Sequence, residues 1–338
     1  MSGFVKFIKT WKLPIAMAIG ILMYFVISWI SMSQEAEDAL YSVCSHWFQP
    51  LLIFLMLFLS FLKVEPHDLR PHRWHGMLLL IQGGCMVICA LLAVIPGISV
   101  NAKILLEGAM LCFICPTATA SAVIVQKLDG SISGCVTYII LINLLISLIA
   151  PPLLAMVEPG IAVSHLSARL LPADLSNGMV GVVFMIMGKV FPLLLCPLLL
   201  ALIVRHYAPG TTQKILVFKD LAFYLWLIAL ATALTVTVRT IVNSRISILM
   251  LLGLAAVSLL SCIIQFVLGR RIGSKWGEGL TDSLTAGQAF GQKNTVFVIW
   301  MGLMFLNPVT SVTGGFYCIW HNVINSIQLY RHDKRING

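Results

Sequence analysis

Charge is the scarcest commodity in this chain: Asp, Glu, Lys and Arg together make up 10% of 338 residues, and 13 residues in all are acidic. A soluble globular protein carries about 25% charged residues. So few charges cannot cover a water-facing surface, which excludes a cytosolic enzyme, a secreted disulfide scaffold and a disordered regulator. Short segments of alternating hydrophobicity, the mark of a transmembrane barrel, are missing too. No cleavable leader is expected, because the first apolar segment is too long and no small-residue cleavage site follows it. The nine cysteines all fall within apolar runs. Cys112 and Cys115 have CxxC spacing but no second pair and no flanking histidines, so small packing residues fit them better than a zinc or redox site.

Apolar residues are what the chain has in abundance. They reach 59% of the sequence, and the mean hydropathy is +0.97. Windows of about 20 apolar residues fall at 12–31, 40–62, 75–96, 104–126, 132–156, 183–204, 220–240, 246–268, 280–302 and 305–329. The expected architecture is therefore an all-α polytopic membrane protein with ten transmembrane helices. The basic residues test that count. With the N-terminus in the cytoplasm, 16 of the 22 Lys and Arg residues fall on the inside. Lys103, Arg169, Arg239 and Arg245 fall outside, and Lys189 and Lys293 fall within spans. Such a bias is the positive-inside rule, and an odd number of spans would scramble it. Both termini are expected in the cytoplasm, in a plasma (inner) membrane. Glu35, Glu37 and Asp38 then face out. The formal charge of +9 is a matter of loops at a lipid bilayer and calls for no nucleic acid.

Two spans carry a break. Cys115-Pro116-Thr117-Ala118-Thr119-Ala120-Ser121-Ala122 interrupts the fourth, and Gly287-Gln288-Ala289-Phe290-Gly291-Gln292-Lys293-Asn294-Thr295 interrupts the ninth. Lipid offers no hydrogen bonds, so irregular backbone at membrane depth survives only inside protein or beside a water-filled cavity. Ten spans divide into halves of five, each break lies in the fourth span of its half, and an odd number of spans inverts the second half. Interrupted segments at matching positions of inverted repeats point to a secondary transporter's binding site. The expected organisation is a first repeat over 1–157, an external connector over 158–182 and a second, inverted repeat over 183–338. The leucines Leu166, Leu170, Leu171 and Leu175 suit an amphipathic surface helix in the connector.

At these residues the chain resembles the bile acid:sodium symporter family, within the superfamily that includes auxin-efflux-like carriers. Pro116-Thr-Ala-Thr-Ala-Ser121-Ala122-Val123, with Gly130 nine residues after the serine, is similar to the family's P-G-G-T-A-S-N-V…G. Gly291-Gln292-Lys293-Asn294-Thr295 resembles its G-M-Q-N-S, and Tyr317-Cys-Ile-Trp320-His321-Asn322 its WHN string. The resemblance runs over essentially the whole chain. It implies a core domain in which helices 4 and 9 are unwound and cross, a separate panel domain, and a cleft between them where an amphipathic or small organic anion binds. It also implies alternating access and co-transport of sodium ions.

The departures from that pattern bear on coupling. Where the family uses Ser-Asn, this chain has Ser121-Ala122. The next-span ligand positions hold Cys135 and Ile139, and the glutamate position, two before Gly291, holds Ala289. Sodium is a hard cation and needs oxygen, and most of those oxygens are gone. In the second family site Gln82 supplies a third-span amide, and Lys293 stands at the last position. Loss of the sodium sites leaves no resident cofactor. An intramembrane charge is a functional-site hypothesis by default, and three roles are open to Lys293: a fixed cation in place of sodium, a protonatable group coupling transport to protons, or a direct partner of an anionic substrate.

The candidate substrate- and ion-binding set is Lys293, Asn294, Thr295, Gln292, Gln288, Gln82, Thr117, Thr119, Ser121, His321 and Asn322, with Gln82, Gln288 or an acid as the expected partner of the lysine. Glu107 is a candidate coupling acid, weighed against an outer acid paired with Lys103 at i, i+4. Lys189 reads as snorkelling to the outer interface, Asp282 as a helix cap, and His321 and Asn322 as an interhelical hydrogen-bonding pair. The expected function is secondary active transport of an organic anion. The alternative is an intramembrane enzyme modifying a lipid or isoprenoid, which requires a metal cluster, a carboxylate pair or a Ser/His arrangement at one depth. The sequence shows none of these.

Overall fold

A computed structural model describes residues 12–30, 32–63, 65, 67, 69–160, 178–218, 221–244 and 246–337. It is all-helical, 86% helix, and the described residues contain no strand. In chain order the helices are α1 (Lys12–Trp29), α2 (Gln34–Val43), α3 (Gln49–Phe61), α4 (Arg73–Ala93), α5 (Val100–Ile114), α6 (Ser121–Lys127) and α7 (Ile132–Val157). There follow α8 (Met179–Tyr207), α9 (Pro209–Leu216), α10 (Leu221–Asn243), α11 (Ile248–Trp276), α12 (Gly279–Gly291), α13 (Thr295–Phe305) and α14 (Val312–Asn337).

Local sequence explains where these helices start and bend. Ser33, Ser99, Ser131 and Ser247 each accept a hydrogen bond from the backbone N–H three residues on, and so open α2, α5, α7 and α11. Between α2 and α3 the chain passes through a π turn at Cys44–Phe48. Pro50 has no N–H to give the carbonyl of His46, and just before it the ladder widens by one residue, with the Gln49 N–H reaching the Cys44 carbonyl. The helix therefore bends without ending.

Among the described residues, six helical segments are long and apolar enough to cross a membrane: Gln34–Phe61, Arg73–Ala93, Ile132–Val157, Met179–Tyr207, Leu221–Asn243 and Ile248–Trp276. The other four windows read from the sequence are occupied differently. The first is a shorter apolar helix, Ile15–Trp29. The fourth and ninth are each split into two short helices. The tenth is the long α14, whose asparagines, histidines and arginines lower its apolarity. The connector expected as an amphipathic helix falls mostly outside the described residues, its leucines and Arg169 among them, and α8 begins at Met179 rather than at 183.

Two groups of helices pack together. Around the split segments, α4 packs on α5 and α7, and α11 packs on α5, α12 and α14. In the other group α1 packs on α10, and α3 on α8 and α10, while α8 also packs on α7 and so joins the two groups. The closest approach is α11 on α12, made by Gly269 and Gly273. A Cβ at Gly269 would sit 2.6 Å from the Ala286 carbonyl oxygen, and one at Gly273 would sit 2.4 Å from that of Asp282. Small residues spaced by four let two helix backbones meet in this way. Ion pairs join the helix ends: Arg239 with Glu37 and Asp38, Lys103 with Glu158, Arg205 with Glu65, and His332 with Asp129.

Candidate functional site

The two breaks lie against each other. α5 stops at Ile114, Cys115 turns extended, and helix resumes at Ser121. α12 stops at Gly291, Gln292 turns extended, and helix resumes at Thr295. Thr117 and Lys293 form an isolated antiparallel bridge, in which the Ala118 N–H donates to the Gln292 carbonyl and the Asn294 N–H to the Pro116 carbonyl, both at 2.9 Å. Each break thus supplies donors and acceptors that the other lost.

Side chains from neighbouring helices take most of the remaining carbonyls. Pro116 cannot donate to the Cys112 carbonyl, and the Gln265 amide of α11 does so at 3.2 Å. The Gln82 amide of α4 donates to the Phe113 and Cys115 carbonyls at 2.6 and 3.1 Å. On the other strand of the crossing, the Thr117 hydroxyl donates to the Ala289 carbonyl and the Tyr317 hydroxyl to the Gly291 carbonyl. The Cys115 thiol donates to the Asn294 carbonyl at 3.1 Å. Buried backbone groups are costly when unpaired, and here polar side chains of three helices and of the break itself cover them.

Lys293 sits at the centre, 1% exposed. Its ammonium donates to the Gln82 carbonyl oxygen at 3.1 Å and lies 5.0 Å from the centre of the Phe290 ring. The same Gln82 oxygen accepts from the Tyr138 hydroxyl at 2.9 Å. Among the described residues no carboxylate forms an ion pair with Lys293. Its charge is held by an amide oxygen, an aromatic face and the partial negative charge at the C-terminal end of α5.

The other candidates divide. Asn294 caps α13, its side-chain oxygen accepting from the Phe297 N–H. Ser121 faces the Cys135 thiol at 3.1 Å, so the position that resembles a family serine pairs with sulfur. Gln292 is buried with its side-chain oxygen unpartnered, and Thr295 is buried beside Cys318. Thr119 is half-buried at the turn before α6. Gln288 is not a partner of the lysine: its amide donates to Gln328 of α14 at 2.9 Å. His321 is buried edge-on against Tyr317, while Asn322 donates to the Cys318 carbonyl of its own helix, so the two do not form the expected interhelical pair. Glu107 is fully buried but lies 3.9 Å from Lys103, next to Glu158 and the Asn307 backbone, and not at the crossing. Asp282 does cap, accepting from the Glu278 N–H at 2.7 Å. Lys189 is half-buried in α8.

Sequence reading missed Tyr138, Gln265 and Tyr317, all at the crossing. A lone polar group inside an apolar helix was the available signal, since such groups seek a partner. Among the described residues no group of three or more His, Cys, Asp or Glu side chains converges as a metal site would require. The chain matches no protein-family model and no curated protein sequence.

Proposed function

We propose that the protein is a carrier of the secondary-transporter type that moves an organic anion by alternating access, with Lys293 as a built-in cation at the crossing in place of a coupling ion. The observation that carries this reading is the pairing of two helix breaks around a buried lysine that has no carboxylate partner among the described residues. Interrupted segments at matching positions of two halves point to a transporter site.

Ten membrane crossings, in two inverted halves, fit the element order. α1, α2–α3, α4, α5–α6 and α7 would form the first half, and α8, α10, α11, α12–α13 and α14 the second. The packing supports a repeat: the contact of α1 with α10 is matched by that of α8 with α3, which takes its place when the halves are exchanged. The core would then be built on α4–α7 and α11–α14, the panel on α1–α3, α8 and α10. Both termini lie in the cytoplasm under this arrangement, in a plasma membrane. Four ion pairs support it, because each joins helix ends assigned to the same side.

Lys293 acts as a fixed cation in this reading. Its near-complete burial and its bond to Gln82 place it behind the paired backbone, where it takes the electrostatic part of a bound metal ion. The resemblance to bile acid:sodium symporters implies the substrate class, an amphipathic or small organic anion, and Cys135, Ile139 and Ala289 argue against sodium. The test is uptake of a panel of organic anions into proteoliposomes, with and without sodium and across a pH gradient. Sodium-independent uptake that is lost in Lys293→Met is the expected result. Uptake that requires sodium overturns the fixed-cation role, chemical conversion of a lipid in place of uptake overturns transport, and uptake driven only by a pH gradient makes Lys293 a proton carrier instead.

A further inference from the structure

A row of side chains on α14 changes character along its length. Ile319, Val323 and Ile327 follow one another at intervals of four residues and so share one side of the helix, and the same spacing, turning about 40° round the helix at each step, leads on to Arg331 and Arg335. All five are exposed. Arg270 of α11, half-buried, comes up beside this row. Its guanidinium donates to Gln328 at 3.4 Å, and its stem lies over Gly287, where a Cβ would come within 2.6 Å of it. Its Nε has no partner. Gln328 precedes Arg331 by one turn, so three guanidinium groups gather at the end of an apolar track.

Like charges drawn together repel, and none of these three arginines has a carboxylate partner among the described residues. Asp129 pairs with His332 at 3.1 Å, and Asp333 stands on α14 among Arg331, Lys334 and Arg335, so the cluster with Arg270 stays net positive. A continuous exposed apolar row leading up to it supplies what a soluble anion does not need and an acyl chain does. α11 repeats the pattern: Leu260, Ile263, Ile264 and Val267 are exposed, and Arg271 and Lys275 follow them.

We infer that Arg270, Arg331 and Arg335 bind the phosphate of an anionic phospholipid whose acyl chain lies along Ile319, Val323 and Ile327. Guanidinium groups pair bidentately with phosphate oxygens, and basic pockets between membrane helices take lipid headgroups. This site is separate from the crossing and does not depend on what the protein transports.

Delipidated full-length protein in detergent would be titrated with short-chain phosphatidylglycerol, short-chain phosphatidylcholine and inorganic phosphate, reading the unfolding midpoint and the lipid retained in native mass spectra. Phosphatidylglycerol should bind and stabilise, the other two far less. R331Q/R335Q removes two exposed charges without touching the packing, and should weaken phosphatidylglycerol about 30-fold. R70Q/K214Q, which removes two exposed charges outside α14 and the segment that pairs with it, should bind as the parent does. Parent-like binding by R331Q/R335Q overturns the site. Equal weakening in R70Q/K214Q overturns it in favour of general surface charge, and equal stabilisation by inorganic phosphate overturns the assignment to lipid.

Discussion

Gln82 and Lys293 touch each other, yet their removal should have opposite effects on stability. Gln82→Leu takes away the donor for the Phe113 and Cys115 carbonyls and the acceptor for Tyr138 and Lys293. Each buried polar group left unpaired costs about 1–3 kcal/mol, so the four together should destabilise by several kcal/mol, on the order of 4 or more. Lys293→Met loses one hydrogen bond, and Gln82 keeps Tyr138 and both carbonyls. It also removes a buried charge whose insertion costs at least about 2.5–3.5 kcal/mol, so the variant should be as stable as the parent or about 1–2 kcal/mol more so. Heat unfolding in one detergent orders the three proteins as Lys293→Met at or above the parent and Gln82→Leu well below it. Uptake should be lost in Lys293→Met despite its stability. A Lys293→Met protein that unfolds as early as Gln82→Leu would refute the reasoning, because the lysine would then be holding the crossing together.

Gly273→Leu should disrupt α11 against α12, since its Cβ alone meets the Asp282 carbonyl at 2.4 Å; size-exclusion profiles and yield read this, and a parent-like profile counts against the packing. Tyr317→Phe leaves the Gly291 carbonyl unpaired and should cost about 1–3 kcal/mol in heat unfolding; an unchanged midpoint counts against that bond. Lys293→Gln combined with Ala289→Glu restores oxygen ligands and should make uptake respond to sodium, whereas identical uptake with and without sodium in both proteins removes the idea. Exchanging Arg239 for Glu with Glu37 and Asp38 both changed to Arg should recover stability lost in Arg239→Glu alone, and no recovery counts against their pairing.

Much of the fold could be read from apolar periodicity, because a membrane leaves a chain few choices. The window expected at 132–156 is α7, and that expected at 220–240 is α10. Break positions were legible for the same reason: Pro116 and the glycines around Gln288 cannot continue a helix cheaply. What polar side chains do at such a break is set by which helices pass nearby, and spacing along one helix does not carry that. Gln288 and Gln292 are one turn apart, yet Gln288 turns to Gln328 of α14 and leaves the lysine to Gln82, some 200 residues distant in sequence. Glu107 shows the limit from the other side. Its i, i+4 partner Lys103 was readable, but Glu158, at the far end of α7, completes the cluster only in three dimensions. The Gly269 and Gly273 pair carried a spacing signal for close helix packing that the sequence reading passed over.

A tethered cation has a consequence for energetics that a bound ion does not. A sodium ion that binds on one side and leaves on the other brings the free energy of its gradient to the cycle. An ammonium fixed between α12 and α13 through Lys293 cannot be released, so in the proposed reading it supplies its charge in every state and drives nothing. By linkage, a ligand shifts an equilibrium only through its differential affinity for the two states, and a charge present in both has none unless it gains or loses a proton. With Lys293 permanently charged, transport should run down the substrate's own gradient. Net uptake down the substrate's gradient should then proceed at full rate in the absence of sodium and of any pH difference. Accumulation that follows a pH difference and is lost in Lys293→Met would overturn the fixed charge: the lysine would then be changing its protonation during the cycle, and Gln82, its hydrogen-bond acceptor among the described residues, would have to release it.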